Sequence, residues 1–279
     1  MMTTTMPEKT EGWPVNLRRF MVQLVLIGIL FIVSLTLFQH RMLYFPQNQT
    51  LDATLEQAAA RGLEPWPSEG AYRGLLRDVQ GPARATLLVF HGNAGQALDR
   101  AHYGNLHTLG LRVILAEYPG YGPRSGALRE ASLVGDAAET IVRAQQQFGD
   151  PVLVLGESLG AGVAAAAFAQ VPDAVAGLLL ITPWDRLVNV AQHHYPWLPV
   201  RWLLRDRYES QQHLAEARIP IAVVVAERDT IVPARFGEQL YQGLPSPRQI
   251  WRLPQAGHND WLADVDAAWW QQVFDFLLP

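Results

Sequence analysis

The amino-acid sequence predicts an α/β fold: a mostly parallel central sheet with helices on both faces, preceded by one membrane-spanning helix. Three observations lead to it. Apolar runs of strand length alternate with longer helical patterns along the chain, the order that builds βαβ units. Those runs are continuously hydrophobic, as strands covered on both faces are. Residues 20–38 hold no charged side chain, and they are about as long as a helix needs to cross ~30 Å of hydrocarbon.

Within 20–38 only Gln23, Ser34 and Thr36 are polar. A core helix would carry a polar stripe, and the apolar part of a signal peptide runs to only about 7–15 residues. No small-x-small cleavage motif follows at Gln39-His40-Arg41, so an uncleaved span is expected. Lys9, Arg18 and Arg19 precede it, whereas Arg41 is followed by no Lys or Arg until Arg61. The positive-inside bias then puts residues 1–19 in the cytoplasm as a tail and the remainder on the outer side, the periplasm in a Gram-negative cell.

With 279 residues, the chain has room after the span for one domain of roughly 200–250 residues, expected over 43–279. Residues 47–81 read as a lead-in, helical over 51–61 until Pro65 and Pro67 break the pattern. Strands are expected at 85–90, 112–118, 151–155, 177–181, 219–226 and 249–253. Helices are expected at 96–109, 128–148, 159–170, 234–242 and 265–278. The one irregular stretch, 183–218, crowds Trp184, His193, His194, Tyr195, Trp197, Trp202 and Tyr208 together and is expected to form a small lid.

Composition narrows the function. A net charge of −4 offers no basic face for phosphates, so a nucleic-acid partner is not expected. The absence of cysteine excludes disulfides, thiolate metal sites and a cysteine nucleophile together. There is no H-E-x-x-H, and adjacent His193 and His194 would diverge on any regular element, so no metal site is expected.

The strongest chemical signal lies at 151–160. A strand-like run enters Gly156-Glu157-Ser158-Leu159-Gly160, and an alanine-rich helical stretch follows at once. A serine at such a turn projects its hydroxyl above the sheet, and only small residues two before and two after allow the neighbouring chains to approach. Ser158 is therefore the expected nucleophile. The helix it opens has unpaired N-terminal amides, so Leu159 N–H is the expected first oxyanion donor. The second is assigned to the backbone of Asn93, with Ala94 behind it, in His91-Gly92-Asn93-Ala94-Gly95 after the 85–90 strand. His91 itself is expected to be a structural hydrogen-bonding residue.

A serine hydroxyl needs a base within hydrogen-bond reach, and an imidazole titrating near neutrality suits the task. His258, just past the 249–253 run, is that base; Asp229, just past 219–226, is the carboxylate that fixes its tautomer. Asp185 is the main rival for the acid, with Glu227 and Asp260 weaker ones.

With these residues in hand the chain resembles the α/β-hydrolase superfamily, and within it the membrane-anchored branch of depalmitoylating thioesterases and lysophospholipid lipases. The likeness spans 43–278 and rests on Phe90-His-Gly-Asn-Ala-Gly95, Glu117-Tyr-Pro-Gly-Tyr-Gly122 with Ser125-Gly126, Gly156-Glu-Ser-Leu-Gly160, Leu204-Arg-Asp-Arg-Tyr208, Asp229-Thr-Ile-Val-Pro233 and Gly257-His258-Asn259. Ala226 stands where this branch often has glycine, and Pro123 interrupts its Tyr-Gly-Arg-Ser pattern. The resemblance implies a carboxylic ester or thioester substrate, a small acyl compound or lipid, and no cofactor. It carries the triad onto Ser158, Asp229 and His258. Two other readings use the same features: a serine peptidase of this fold, and a catalytically silent, membrane-tethered binding module.

Overall fold

A computed structural model describes residues 15–245 and 247–278. Lys9 and the expected cytoplasmic tail as far as residue 14 lie outside the described residues. The chain divides into two units, the first ending at Met42 and the second beginning at Leu43.

The described residues of the first unit form helix α1 (Val15–Leu43), whose last residue opens the second unit and which is longer at both ends than the apolar run alone indicated. Its 29 residues make a rod of roughly 43 Å, enough to cross a bilayer core and continue beyond it. None of its side chains is buried, and Phe20, Leu24, Ile27, Leu30, Phe31 and Leu37 stand exposed around it. An apolar helix without a buried face is what a lipid solvent accepts and a soluble core does not.

In the second unit the helices are α2 (Leu51–Ala60), α3 (Glu130–Phe148), α4 (Leu159–Gln170), α5 (Leu187–His194), α6 (Val200–Leu203), α7 (Ser210–His213), α8 (Ala234–Gly243) and α9 (Ala267–Leu277). The strands are β1 (Glu64–Trp66), β2 (Gly74–Arg77), β3 (Ala85–Phe90), β4 (Leu111–Ala116), β5 (Val152–Glu157), β6 (Gly177–Ile181), β7 (Ile221–Ala226) and β8 (Arg248–Leu253). They form one sheet in the order β1-β2-β4-β3-β5-β6-β7-β8. From β4 to β8 every neighbour is parallel, while β1 pairs β2 and β2 pairs β4 antiparallel. The sheet is thus mixed, and the lead-in expected over 47–81 contains two strands. They escape a sequence reading because they are short and because Pro65, taken as a breaker, sits in the edge strand, where a missing donor is tolerated.

The period-two pleat divides the core into two layers. Leu88, Phe90, Val154, Val223 and Val225 face α3, α4 and α8. Leu87, Val89, Leu153, Leu155, Ala222 and Val224 face α9 and the segment Ala97–Leu109 on the other side. That segment, expected as an α-helix, winds as 3₁₀ turns. Ala97, Tyr103 and Leu106 are buried on a three-residue repeat, which a 3₁₀ winding aligns on one face.

Helices α5, α6 and α7 make up the insertion between β6 and β7. Glu130 at the start of α3 holds its far end, accepting from Arg207 N–H at 2.6 Å and Tyr208 N–H at 3.0 Å. The aromatic cluster divides in two. Trp184 and Tyr208 are buried, with Trp184 Nε1 donating to Tyr208 O at 3.2 Å, whereas Tyr195, Trp197 and Trp202 are exposed. His193 and His194 lie on the surface of α5.

Candidate active site

Strands β3, β5, β7 and β8 run parallel, so the residues that follow them share one edge of the sheet. The loop His91–Gly95 follows β3, Ser158 follows β5, Asp229 follows β7 and His258 follows β8. The chain moves to opposite sides of β3 to reach β4 and β5, a switch point of the kind at which open α/β sheets carry their ligands.

Ser158 adopts φ 52° and ψ −113°, a conformation that side chains other than glycine rarely take. Close packing holds it there. A Cβ on Gly160 would fall 2.1 Å from Phe90 O, and one on Gly156 would fall 2.3 Å from Gly160 O. Only hydrogen at both places lets the start of α4 pass between β5 and the end of β3. Ser158 N–H donates to Ile181 O at 2.9 Å, tying the turn to β6 as well.

His258 Nε2 is 3.0 Å from Ser158 Oγ, and Nδ1 is 2.6 Å from Asp229 Oδ2. A carboxylate facing Nδ1 makes that nitrogen the donor, so in the neutral ring Nε2 offers its lone pair to the serine hydroxyl. Asp229 is buried, and its other oxygen accepts from Ile231 N–H at 2.8 Å and Val232 N–H at 2.7 Å. The structure therefore brings the three expected residues into one hydrogen-bonded chain from carboxylate to hydroxyl.

It leaves the rivals elsewhere. Asp185 Oδ2 accepts from Asn189 Nδ2 at 2.5 Å, Asp260 Oδ1 accepts from Gly257 N–H at 2.6 Å, and Glu227 is exposed. His91 is fully buried, with Nδ1 2.8 Å from Gly92 O and Nε2 3.0 Å from Glu117 Oε1. Neither nitrogen is left for Ser158. Among the described residues, the N–H groups of Asn93 and Leu159 meet no protein acceptor, as donors to an incoming oxyanion must not.

Two features were not foreseen from the sequence. Glu157, beside Ser158, accepts from Arg100 Nε at 2.7 Å and from Tyr103 OH, forming a part-buried ionic set next to the turn. Burial disfavours the charged Arg100, but the adjacent Glu157 outweighs it and raises the guanidinium pKa. Burial, with Glu157 beside it, also pushes the Tyr103 phenol well up, so it stays a donor. The second feature is the Asn93 carboxamide. It donates to Leu43 O and accepts from Phe45 N–H at 3.1 Å and Tyr121 OH at 3.0 Å, although the oxyanion argument had no use for the side chain. Contacts between residues so distant in sequence leave no local pattern to read.

Fold and site together define the class: the chain belongs to the α/β-hydrolase fold family. The family model for the α/β-hydrolase fold matches residues 85–214. An uncharacterised protein of Mycobacterium tuberculosis is 36% identical over 230 residues, covering 80% of this chain and 81% of that one. The lysophosphatidylserine lipase ABHD12 of Danio rerio is 30% identical over 178 residues, 56% of this chain but only 46% of that longer protein. Among solved structures, an esterase of Pyrococcus furiosus superposes with a TM-score of 0.58 at 16% identity, covering 70% of this chain and 81% of that one. That likeness is one of fold.

Proposed function

We propose that the protein is a serine hydrolase that cleaves carboxylic esters or thioesters through an acyl-enzyme on Ser158. The observation that carries this reading is the continuous hydrogen-bonded chain Asp229–His258–Ser158 at the C-terminal edge of the sheet. His258 removes the hydroxyl proton as Ser158 Oγ attacks the acyl carbonyl, and Asp229 steadies the imidazolium that forms. The Leu159 and Asn93 N–H groups hold the oxygen of the tetrahedral intermediate. His258 then returns the proton to the leaving alcohol or thiol, and water, activated by the same imidazole, releases the acyl group.

Residues 43–279 are the catalytic unit, and 183–218 form its lid. The substrate is an acyl lipid presented at a membrane. Tethering by an apolar helix supports this, as do Trp197 and Trp202, 68% and 81% exposed on the insertion, since tryptophan favours the membrane–water interface. Similarity to lysophosphatidylserine lipases points the same way. The excess of Lys and Arg before the span sets the N-terminus in the cytoplasm and the catalytic unit outside, periplasmic in a Gram-negative cell.

Ser158→Ala is expected to lower kcat for a soluble p-nitrophenyl ester at least about 10⁴-fold without changing the unfolding midpoint; turnover near wild type would rule out Ser158 as nucleophile. The pair Trp197→Ala and Trp202→Ala is expected to slow hydrolysis of a vesicle-embedded ester several-fold and leave the soluble ester unaffected, and equal effects on both would remove the interfacial role. Because the chain has no cysteine, Glu69→Cys on the exposed surface introduces a single thiol. A membrane-impermeant maleimide is expected to reach it from the outer side, and labelling only after lysis would reverse the topology.

A further inference from the structure

The segment that enters the second unit from the apolar helix does not simply link the two. It runs along the loop after β3 and bonds to it at successive points. Leu43 O and Phe45 N–H are held by the two ends of the Asn93 carboxamide. Gln47 Nε2 donates to Ala94 O at 2.7 Å, and Gln49 Oε1 accepts from Gln96 Nε2 at 3.1 Å. Behind it, Gly122 N–H donates to Gln47 O at 2.7 Å and Gln49 N–H to Gly122 O at 3.3 Å. Between Phe45 and the insertion, the buried Tyr44 hydroxyl donates to Asp206 Oδ2 at 2.8 Å and lies 2.9 Å from Tyr208 OH.

The loop needs such support. Two glycines, Gly92 and Gly95, flank Asn93 and Ala94, and its own backbone bond from Gly95 N–H to Gly92 O is long at 3.4 Å. A backbone this permissive has to be held from outside to keep an N–H aimed at one point, and an oxyanion donor displaced by a fraction of an ångström loses much of its effect.

We propose that Asn93 is a positioning residue whose carboxamide fastens the oxyanion loop to the segment 43–49, making that segment a working part of the active site. This rests on the serine-hydrolase reading above. Asn93 contributes its backbone N–H to the reaction, and its side chain determines where that N–H points. One end of the clamp is the backbone of Leu43 and Phe45, at the start of the second unit.

The test uses the full chain in detergent micelles and three variants: Asn93→Ala, Phe45→Pro and the double. Phe45→Pro deletes the N–H that Asn93 Oδ1 receives, and the Phe45 side chain is itself exposed. Rates are measured on p-nitrophenyl butyrate and normalised to the serines labelled to completion by a fluorophosphonate, so that unfolded molecules do not count. Each single variant is expected to lower kcat about 10- to 100-fold with KM within about twofold. The double is expected to be no slower than Asn93→Ala alone, because both changes remove the same hydrogen bond. Wild-type kcat in either single variant, a change confined to KM, or losses that multiply in the double would overturn the proposal. None of these bears on the serine reading, which fails separately if Ser158→Ala keeps turnover.

Discussion

The contact on which the site depends is the approach of α4 to the end of β3, where a Cβ on Gly160 would lie 2.1 Å from the Phe90 carbonyl. Because nothing larger than hydrogen stands there, β5 can turn into α4 without an intervening loop. The strained φ of 52° at Ser158 is the consequence. The turn lifts the serine hydroxyl above the sheet and leaves Leu159 N–H at the unpaired start of a helix. The parallel register of β5, β6, β7 and β8 then brings Asp229 and His258 to the same edge from more than seventy residues further along the chain.

Strain of this kind persists only where the surroundings over-determine it. The ionic set next to the turn is one such restraint. Glu157 is the last residue of β5, and its carboxylate is occupied by Arg100 and Tyr103 from the opposite layer. His91 and Glu117 are a second restraint, joining the residues that follow β3 and β4, where Glu117 Oε2 also accepts from Ala97 N–H at 3.1 Å. Glu157, Tyr103, His91 and Glu117 are buried, so each carries a large desolvation cost unless its partners are in place. Their effect is to leave the backbone on either side of the site little freedom to move.

How much of this could be read from the sequence depends on the range of the interactions involved. The parallel strands β3 to β7 were legible because burial on both faces leaves mainly apolar runs. Ser158, Asp229 and His258 could be singled out because each sits in a turn that follows a strand-like run, and the order of those turns constrains what they can do together. The two antiparallel strands were not legible: they are short, and Pro65 and Pro67 read as breakers. The 3₁₀ winding of Ala97–Leu109 was likewise hidden, since its three-residue repeat differs little from a helical one over a single segment. The pairing of Glu157 with Arg100, and of Asn93 with Leu43 and Phe45, is purely tertiary. Residues some fifty positions apart meet there, and no local pattern marks either partner.

Whether Ser158 is an activated nucleophile can be measured without knowledge of the natural substrate. A fluorophosphonate adduct is formed on the folded full-length protein and located by peptide mass spectrometry, with His258→Ala treated in parallel. One adduct is expected, on the peptide carrying Ser158, formed rapidly in the wild type and at a small fraction of that rate without the imidazole. An adduct on another serine, or none on protein that is demonstrably folded, would contradict that role for Ser158 and leave a hydrolase fold without the chemistry.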